Sequence, residues 1–369
     1  MSEWIDQTEP LQRLLEDPPA FLFLDTEFMR INTLLPQLAL VQIAVDGHIA
    51  LIDPLADSDL APLTRLLADP THCCVMHSAS EDLEALADIL PEGPARLLDT
   101  QIAAAFAGLG AGLGYQKLVV ELTGVELAKG ETRSDWLKRP LTPKQLEYAA
   151  QDVLYLPEIH AQLEQRVTDR GYAQWLSEDC ARMLAKAAQR EPDSNPQVPF
   201  SGAANWSREK QALLRRVLRW RDATARTLNR PRPWLLDDAR SLSLVADPPA
   251  DAEALFERVK GLRALRGEQR SELLELLRAP IAANEREFAP IPRTPGAAEK
   301  HALTALKDIV AARAAELDLP SGLLCARRHL ESLLVTGRWP QALEGWRREV
   351  LHESLMGRLA DFVPRSSDA

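Results

Sequence analysis

The stretch Phe21-Leu22-Phe23-Leu24-Asp25-Thr26-Glu27-Phe28 decides how the first half of the chain is built. Residues Ala20–Phe28 form a near-continuous apolar run that ends in Asp-Thr-Glu-Phe. A run this short and this apolar reads as a strand buried in an α/β sheet. Residues i and i+2 of a strand project from one face, so Asp25 and Glu27 share a site at its C-terminal end. Two anions so close repel each other unless they are protonated or hold a cation. A hard divalent ion with oxygen ligands meets that need. Alone the signal is weak, since most Asp-x-Glu pairs are solvated loop acids.

Further strands flank this one. Leu38–Val45 and His48–Ile52 are joined by Asp46-Gly47, a strong hairpin dipeptide. Cys73–His77 reads as a fourth strand and Arg96–Leu98 as a short fifth, with helices expected near 59–69, 80–89, 100–106 and 115–123. A long helix begins at Pro143, with Thr142 as its N-cap, and runs toward Arg170 with a kink or break at Pro157. A hairpin meander followed by βα units predicts a mixed-sheet α/β domain over residues 1–190. Two proline-rich stretches, 191–205 and 288–299, set it apart from two all-helical blocks, expected as small domains at 205–287 and 298–364. RVLRWRDATARTLNRP and ALKDIVAARAAELDLP look like one helix-then-proline element used twice.

Composition narrows the class. With 46% hydrophobic and 26% charged residues in 369, the chain is neither fibrous nor disordered. The acidic N-terminus lacks the apolar core of a secretory signal. The longest apolar stretch, Ile102–Gly114, is too short for a bilayer, which takes roughly 20 residues. Cys73, Cys74, Cys180 and Cys325 form no C-x-x-C pair and read as small apolar fillers in a reducing cytoplasm. The net charge of −11 is unevenly spread. Residues 1–199 hold 15 Lys+Arg against 31 Asp+Glu, whereas 200–290 hold 17 against 13. The middle third is therefore the better candidate for a phosphate-facing surface, with an ordinary solvated face as the alternative.

Three more acids and a tyrosine join Asp25 and Glu27. Tyr148 and Asp152 are spaced i, i+4 on the late helix and lie on one of its faces. Asp82 follows Ser80 at a helix start, where an acid also complements the helix dipole. Asp99 has the same double reading and supports the site at most, as a helix cap. His77, at a strand end, is a structural histidine before it is a ligand. In Lys129–Pro140 (KGETRSDWLKRP), the basic residues Lys129, Arg133, Lys138 and Arg139 surround Trp136. That pattern suits phosphate gripping and base stacking; its rival is a surface loop anchored in the core by Trp136. The arginines of the helix that contains RVLRWRD, Arg215, Arg216, Arg219, Arg221 and Arg226, either face phosphates or form the charged side of a packed helix.

Taken in order, strand Asp-x-Glu, then His-x-x-x-x-Asp, then Tyr-x-x-x-Asp on a late helix resembles the DEDD exonuclease superfamily in its tyrosine subclass. The segments DTEFMRINT, LALVQIA, HSASEDLE, DTQIAAAF, LGYQKLV, KGETRSDWLKRPL and QLEYAAQDVLYL are similar to those of the ribonuclease D family. The helical blocks resemble tandem helicase-and-RNase-D C-terminal (HRDC) modules, more clearly at 207–278 than at 299–360. The resemblance implies an RNase H-like mixed sheet and a 3′→5′ exoribonuclease that releases nucleoside 5′-monophosphates. It implies two divalent ions, Mg²⁺ or Mn²⁺, roughly 3.5–4 Å apart. Asp25 would bridge them, Glu27 and Asp152 would complete one site, Asp82 would help hold the second, and Tyr148 would orient the attacking water. The implied substrates are tRNA precursors and other structured RNA 3′ ends; no membrane is involved, and oligomeric state is left open. One departure stands out: Leu34 and Leu35 precede Pro36 where the family usually carries aromatics. Two rivals remain, a 3′→5′ DNA exonuclease with the same site and a catalytically silent RNA-binding protein, although the latter would need a broken carboxylate set.

Overall fold

The computed structural model describes residues 2–127, 130, 134–189, 192–293 and 296–362. Six strands form one mixed sheet: β1 (Ser2–Ile5), β2 (Phe21–Met29), β3 (Gln37–Val45), β4 (His48–Ile52), β5 (Cys73–Met76) and β6 (Leu97–Asp99). Their order is β1-β4-β3-β2-β5-β6. The strand that carries Asp25 and Glu27 is interior, antiparallel to β3 and parallel to β5. It needs apolar residues on both faces, and the FLFL run supplies them. The edge strand β1 and the helix α1 (Thr8–Leu14) were not among the expected elements. Ser-Glu-Trp-Ile is too short to show a period; it is a strand because it pairs with β4 in parallel.

Helices α2 (Ala61–Ala68), α3 (Ser80–Leu86), α4 (Thr100–Phe106) and α5 (Tyr115–Thr123) fall where expected. The expected long helix is two, α6 (Pro143–Leu154) and α7 (Leu156–Asp169), followed by α8 (Ala173–Ala188). Thr142 and Gln145 form a reciprocal capping box at the start of α6. Pro157 sits in the first turn of α7, where its missing N–H goes unneeded. One sheet face, with Leu22, Leu24 and Ile43, packs on Leu63, Leu67, Leu83 and Leu86 of α2 and α3. The opposite face receives Ala149 and Val153 of α6.

The described residues group into two compact units. One is helical, drawn from Arg30–Leu35 and Arg190–Lys300. It contains α9 (Arg208–Leu228), α10 (Arg232–Leu235), α11 (Asp238–Ala246), α12 (Ala252–Val259) and α13 (Gly267–Arg278) around Leu214, Leu218, Leu235, Leu244, Leu255 and Leu273. Ser207 caps α9 through Lys210 N–H. The proline-rich stretches close on each other: Ala289 N–H donates to Asn195 Oδ1 at 3.0 Å, and Gln197 Nε2 donates to the Ala289 carbonyl at 2.7 Å. Most of the α9 arginines are structural. Arg216 pairs with Glu285, Arg221 with Asp238, and Arg226 with Asp222.

Leu34 packs against this helical core. Asn229, left-handed at the C-cap of α9, accepts the Leu34 and Leu35 N–H groups at 3.0 and 3.1 Å. Leu34 is therefore an anchor of the helical unit.

The other unit holds Met1–Met29, Pro36–Gln189 and His301–Ala369. Its last part comprises most of α14 (Ala297–Glu316), then α15 (Ser321–Leu324), α16 (Arg327–Thr336) and α17 (Trp346–Leu359). This block, expected as a domain of its own from residue 298, shares one buried cluster with the α/β part: Leu306, Val310, Leu351 and Leu355 lie with Phe106, Ile159 and Leu163. Trp346 stacks on Trp175 of α8 at 4.6 Å between ring centroids and donates its indole N–H to Asp179. Arg347 pairs with the same aspartate. The four cysteines are buried and free of disulfides. Among the described residues no helix is long and apolar enough to cross a membrane.

Candidate active site

Asp25 faces Gln42 across the β2–β3 ladder, and Glu27 faces Leu40, just before a register shift between Glu27 and Phe28. Strand alternation puts both acids on the α6 side, in line with Phe21 and Phe23. Those two rings pack on His160 of α7 at 4.4 and 5.7 Å between centroids. Thr26 points the other way and donates its hydroxyl to Asp82 Oδ1 at 2.6 Å. Asp82 lies in the first turn of α3 and is 7% exposed. One strand thus orients three acids: two directly and the third through the threonine between them.

α6 brings the remaining pair. Ala149 and Val153 are fully buried against the sheet, which turns the adjacent face, with Tyr148 and Asp152, toward β2. The Tyr148 hydroxyl lies close enough to Asp152 to favour its ionised form. Trp136 packs at a tilt on the Tyr148 ring, 6.1 Å between centroids. The backbone at Gly130 passes so close to that ring that an added Cβ would lie 2.0 Å from its Cε2 atom.

Burial and mutual repulsion hold these acids toward their protonated forms. Burial, then the charges of Asp82, Asp152 and Glu27, raise Asp25 well above the carboxylate range. Burial, with Asp152 and Asp82, pushes Glu27 up to about 9. Burial raises Asp152 to about 7 against the Tyr148 hydroxyl, and Asp82 to about 6 against the Thr26 hydrogen bond. Tyr148 is itself pushed upward by burial and by the neighbouring carboxylates.

Asp99 and His77 belong to the frame around this cluster, although the Asp99 charge also raises Asp82. Asp99 accepts Gln101 and Ile102 N–H at the start of α4 and Ala79 N–H at the start of α3. His77 Nδ1 lies 2.9 Å from Thr100 Oγ1.

The basic-aromatic segment reads differently in the structure. Trp136 is 1% exposed and packs in a core cluster with Leu40, Leu51 and Ala149, so it is not a platform for a base. Arg139 spends its guanidinium on Asp53, at 2.7 and 2.6 Å, and on the carbonyls of Trp136, Lys138 and Ala39. No donor is left for phosphate. Both expectations are corrected for one reason: the segment is riveted to the end of β4. Lys138 is exposed, and Lys129 and Arg133 lie outside the described residues.

Two neighbours of the acids went unread in the sequence. Tyr115 donates its hydroxyl to the Gln151 carbonyl at 3.0 Å, close enough to Asp152 and Asp25 to feel their charge. Gln42 is the one polar residue in Leu38–Val45, an interruption that a search for polar residues in buried strands would find.

Asp82, buried, and Asp25, Glu27 and Asp152, half-buried, are oxygen donors of the kind a hard divalent cation takes. Among the described residues no group of three or more His, Cys, Asp or Glu side chains is arranged to hold a metal ion by itself.

Comparison with known proteins gives the same direction. A family model described as 3′–5′ exonuclease matches residues 2–168. Ribonuclease D of Xanthomonas oryzae pv. oryzae is 44% identical over 357 residues, covering 96% of this chain and 98% of the relative. Ribonuclease D of Escherichia coli is 31% identical over 373 residues, covering 98% and 99%. The solved structure of Escherichia coli RNase D, described as an exoribonuclease involved in structured RNA processing, superposes with a TM-score of 0.84 at 29% identity over 98% of this chain and 99% of that one. With near full-length identity well above 30% and the exonuclease core in place, the chain belongs to the ribonuclease D family of 3′→5′ exoribonucleases.

Proposed function

We propose that the chain removes nucleotides one at a time from RNA 3′ ends as nucleoside 5′-monophosphates, at two divalent ions, Mg²⁺ or Mn²⁺, held by Asp25, Glu27, Asp82 and Asp152. The observation that carries this reading is the convergence of acids from β2, α3 and α6, close enough to repel one another, with Tyr148 beside Asp152. Divalent-metal dependence comes with the family's fold. When bound, the ions supply Lewis acidity that acidifies an attacking water and offsets charge on the departing 3′ oxygen. Asp25 and Glu27 present their oxygens from one strand face, and Asp152 presents its own from α6. Thr26 holds Asp82 in one rotamer. The Tyr148 hydroxyl, raised above its ordinary value of about 10, stays protonated near neutral pH. It orients the water rather than taking its proton.

The substrates we assign are tRNA precursors and other structured RNAs in the cytoplasm, gripped in part by the HRDC-like helical blocks. A cavity of about 660 Å³ in the helical unit supports this. Arg230, Arg263 and Arg266 line it, with Trp234 and Asn32. Matched RNA and DNA strands, labelled at either end and incubated with and without EDTA, test the activity. A ladder shortening from the 3′ end of RNA, lost in EDTA and in Asp25→Asn, is expected. Equal degradation of DNA would favour a sugar-blind exonuclease, and cleavage that persists in EDTA would refute the assignment.

A further inference from the structure

Gln42 sits in the middle of β3, directly opposite Asp25. Facing residues of an antiparallel pair project from the same side, with Cβ atoms roughly 4.5–5.5 Å apart. Gln42 therefore shares the α6 face with Asp25. Along that face Leu40 packs with Ala149 and Tyr148, and Ala44 packs with Val153, Leu156 and Tyr115. Gln42 is 0% exposed. Yet its Oε1 and Nε2 have no hydrogen-bond partner among the described residues. A buried amide in that position lowers stability, and its persistence calls for a reason. Every other residue from Leu38 to Val45 is apolar, and the surrounding side chains would accept an apolar one here too.

The reason lies across the ladder. A carboxylate only accepts hydrogen bonds, and an amide nitrogen only donates. The charged groups that face Asp25 are Asp82, Asp152 and Glu27, all acidic. Gln42 is the neutral donor on the strand beside it; its side chain is long enough to reach across the pair, although in this structure its amide bonds no described group, Asp25 included. We propose that Gln42 is a positioning residue of the exonuclease site, its Nε2–H group orienting the Asp25 carboxylate for the divalent ion. Its complete burial keeps it from touching RNA, so its effect runs through Asp25. The inference rests on Asp25 being a metal ligand, and the test separates the two.

Gln42→Met keeps the length of the side chain and removes the amide; Gln42→Leu is a second variant should the first fold poorly. Each is compared with wild type and Asp25→Asn for melting temperature in EDTA, for Mn²⁺ affinity by calorimetry or electron paramagnetic resonance, and for RNA cleavage at saturating Mn²⁺. The expected result is an EDTA melting temperature equal to or above wild type, with Mn²⁺ affinity about tenfold weaker, as for other residues that orient metal ligands, and slower cleavage. A lower melting temperature with unchanged Mn²⁺ affinity would make Gln42 a packing residue and overturn the proposal, as would wild-type affinity and rate. Mn²⁺ affinity that is unchanged even in Asp25→Asn would instead overturn the metal-ligand reading beneath it.

Discussion

At the level of single residues, the four acids impose opposite demands with and without a cation. In the metal-free protein Asp82, Asp152 and Glu27 are raised to about 6, 7 and 9, above unfolded values of about 4. The folded state then holds protons that the unfolded chain releases, so stability falls as pH rises through that window. A bound cation favours the ionised forms and expels those protons, so the stabilisation it brings grows with pH. The melting temperature in EDTA should decline from pH 6 to pH 9, while the gain on adding Mg²⁺ widens. A metal-free melting temperature that climbs across the window would contradict the arrangement. Tyr148 separates chemistry from binding. Tyr148→Phe keeps the ring against Trp136 and Gly130 but loses the hydroxyl. It should slow cleavage about 10²-fold, the low end for a group that handles a reacting water, with Mn²⁺ affinity unchanged. A wild-type rate would remove Tyr148 from the mechanism.

At the level of elements, the segment before α6 decides how well Tyr148 and Asp152 are placed. Its rivet is Arg139 on Asp53, whose side chains are 24% and 8% exposed. Breaking one partner of a buried pair strands the other charge, and Arg139→Ala should cost roughly 2–3 kcal/mol, discounted for the partly exposed arginine. The salt dependence of RNA binding should not change. A reduced salt slope at unchanged melting temperature would return Arg139 to the RNA-binding surface. This case also shows where sequence reading stops. β2 was legible because its apolar run and its i, i+2 acids are local. The start of α6 was legible because Thr142, Pro143 and Gln145 are its own cap. The partner of Arg139 lies 86 residues upstream, so Trp136 and Arg139 looked like part of an RNA grip where their contacts are tertiary anchors. β1 was missed for the same reason, since four residues carry no period and the strand exists only by pairing with β4. Leu34 likewise stood out only as a departure from the family pattern, and its contacts with Asn229 and the helical core are long-range.

At the level of the whole molecule, the two helical blocks call for different experiments. The last block shares the Phe106–Ile159 cluster with the α/β part, so truncating from His301 would strip a core and report on folding instead of RNA binding. The helical unit of residues 190–300 can be tested by substitution. Around its cavity, Arg230 donates to the Asn32 carbonyl, and Arg263 lies over the Trp234 ring at 5.0 Å. Neither they nor Arg266 pair with a carboxylate among the described residues, in contrast to Arg216, Arg221 and Arg226. Unpaired arginines beside an aromatic ring suit a strand's phosphates. Each contact to single-stranded RNA contributes about 0.7 to the slope of log affinity against log salt. Replacing all three with alanine should therefore flatten that slope by about 2 and weaken binding of long, structured RNA. A dinucleotide, which offers a single phosphodiester, should be hydrolysed at the wild-type rate. If the slope is unchanged, these arginines are solvated surface and the grip lies elsewhere. If dinucleotide turnover falls in parallel with long-RNA binding, the substitutions have disturbed the catalytic unit itself.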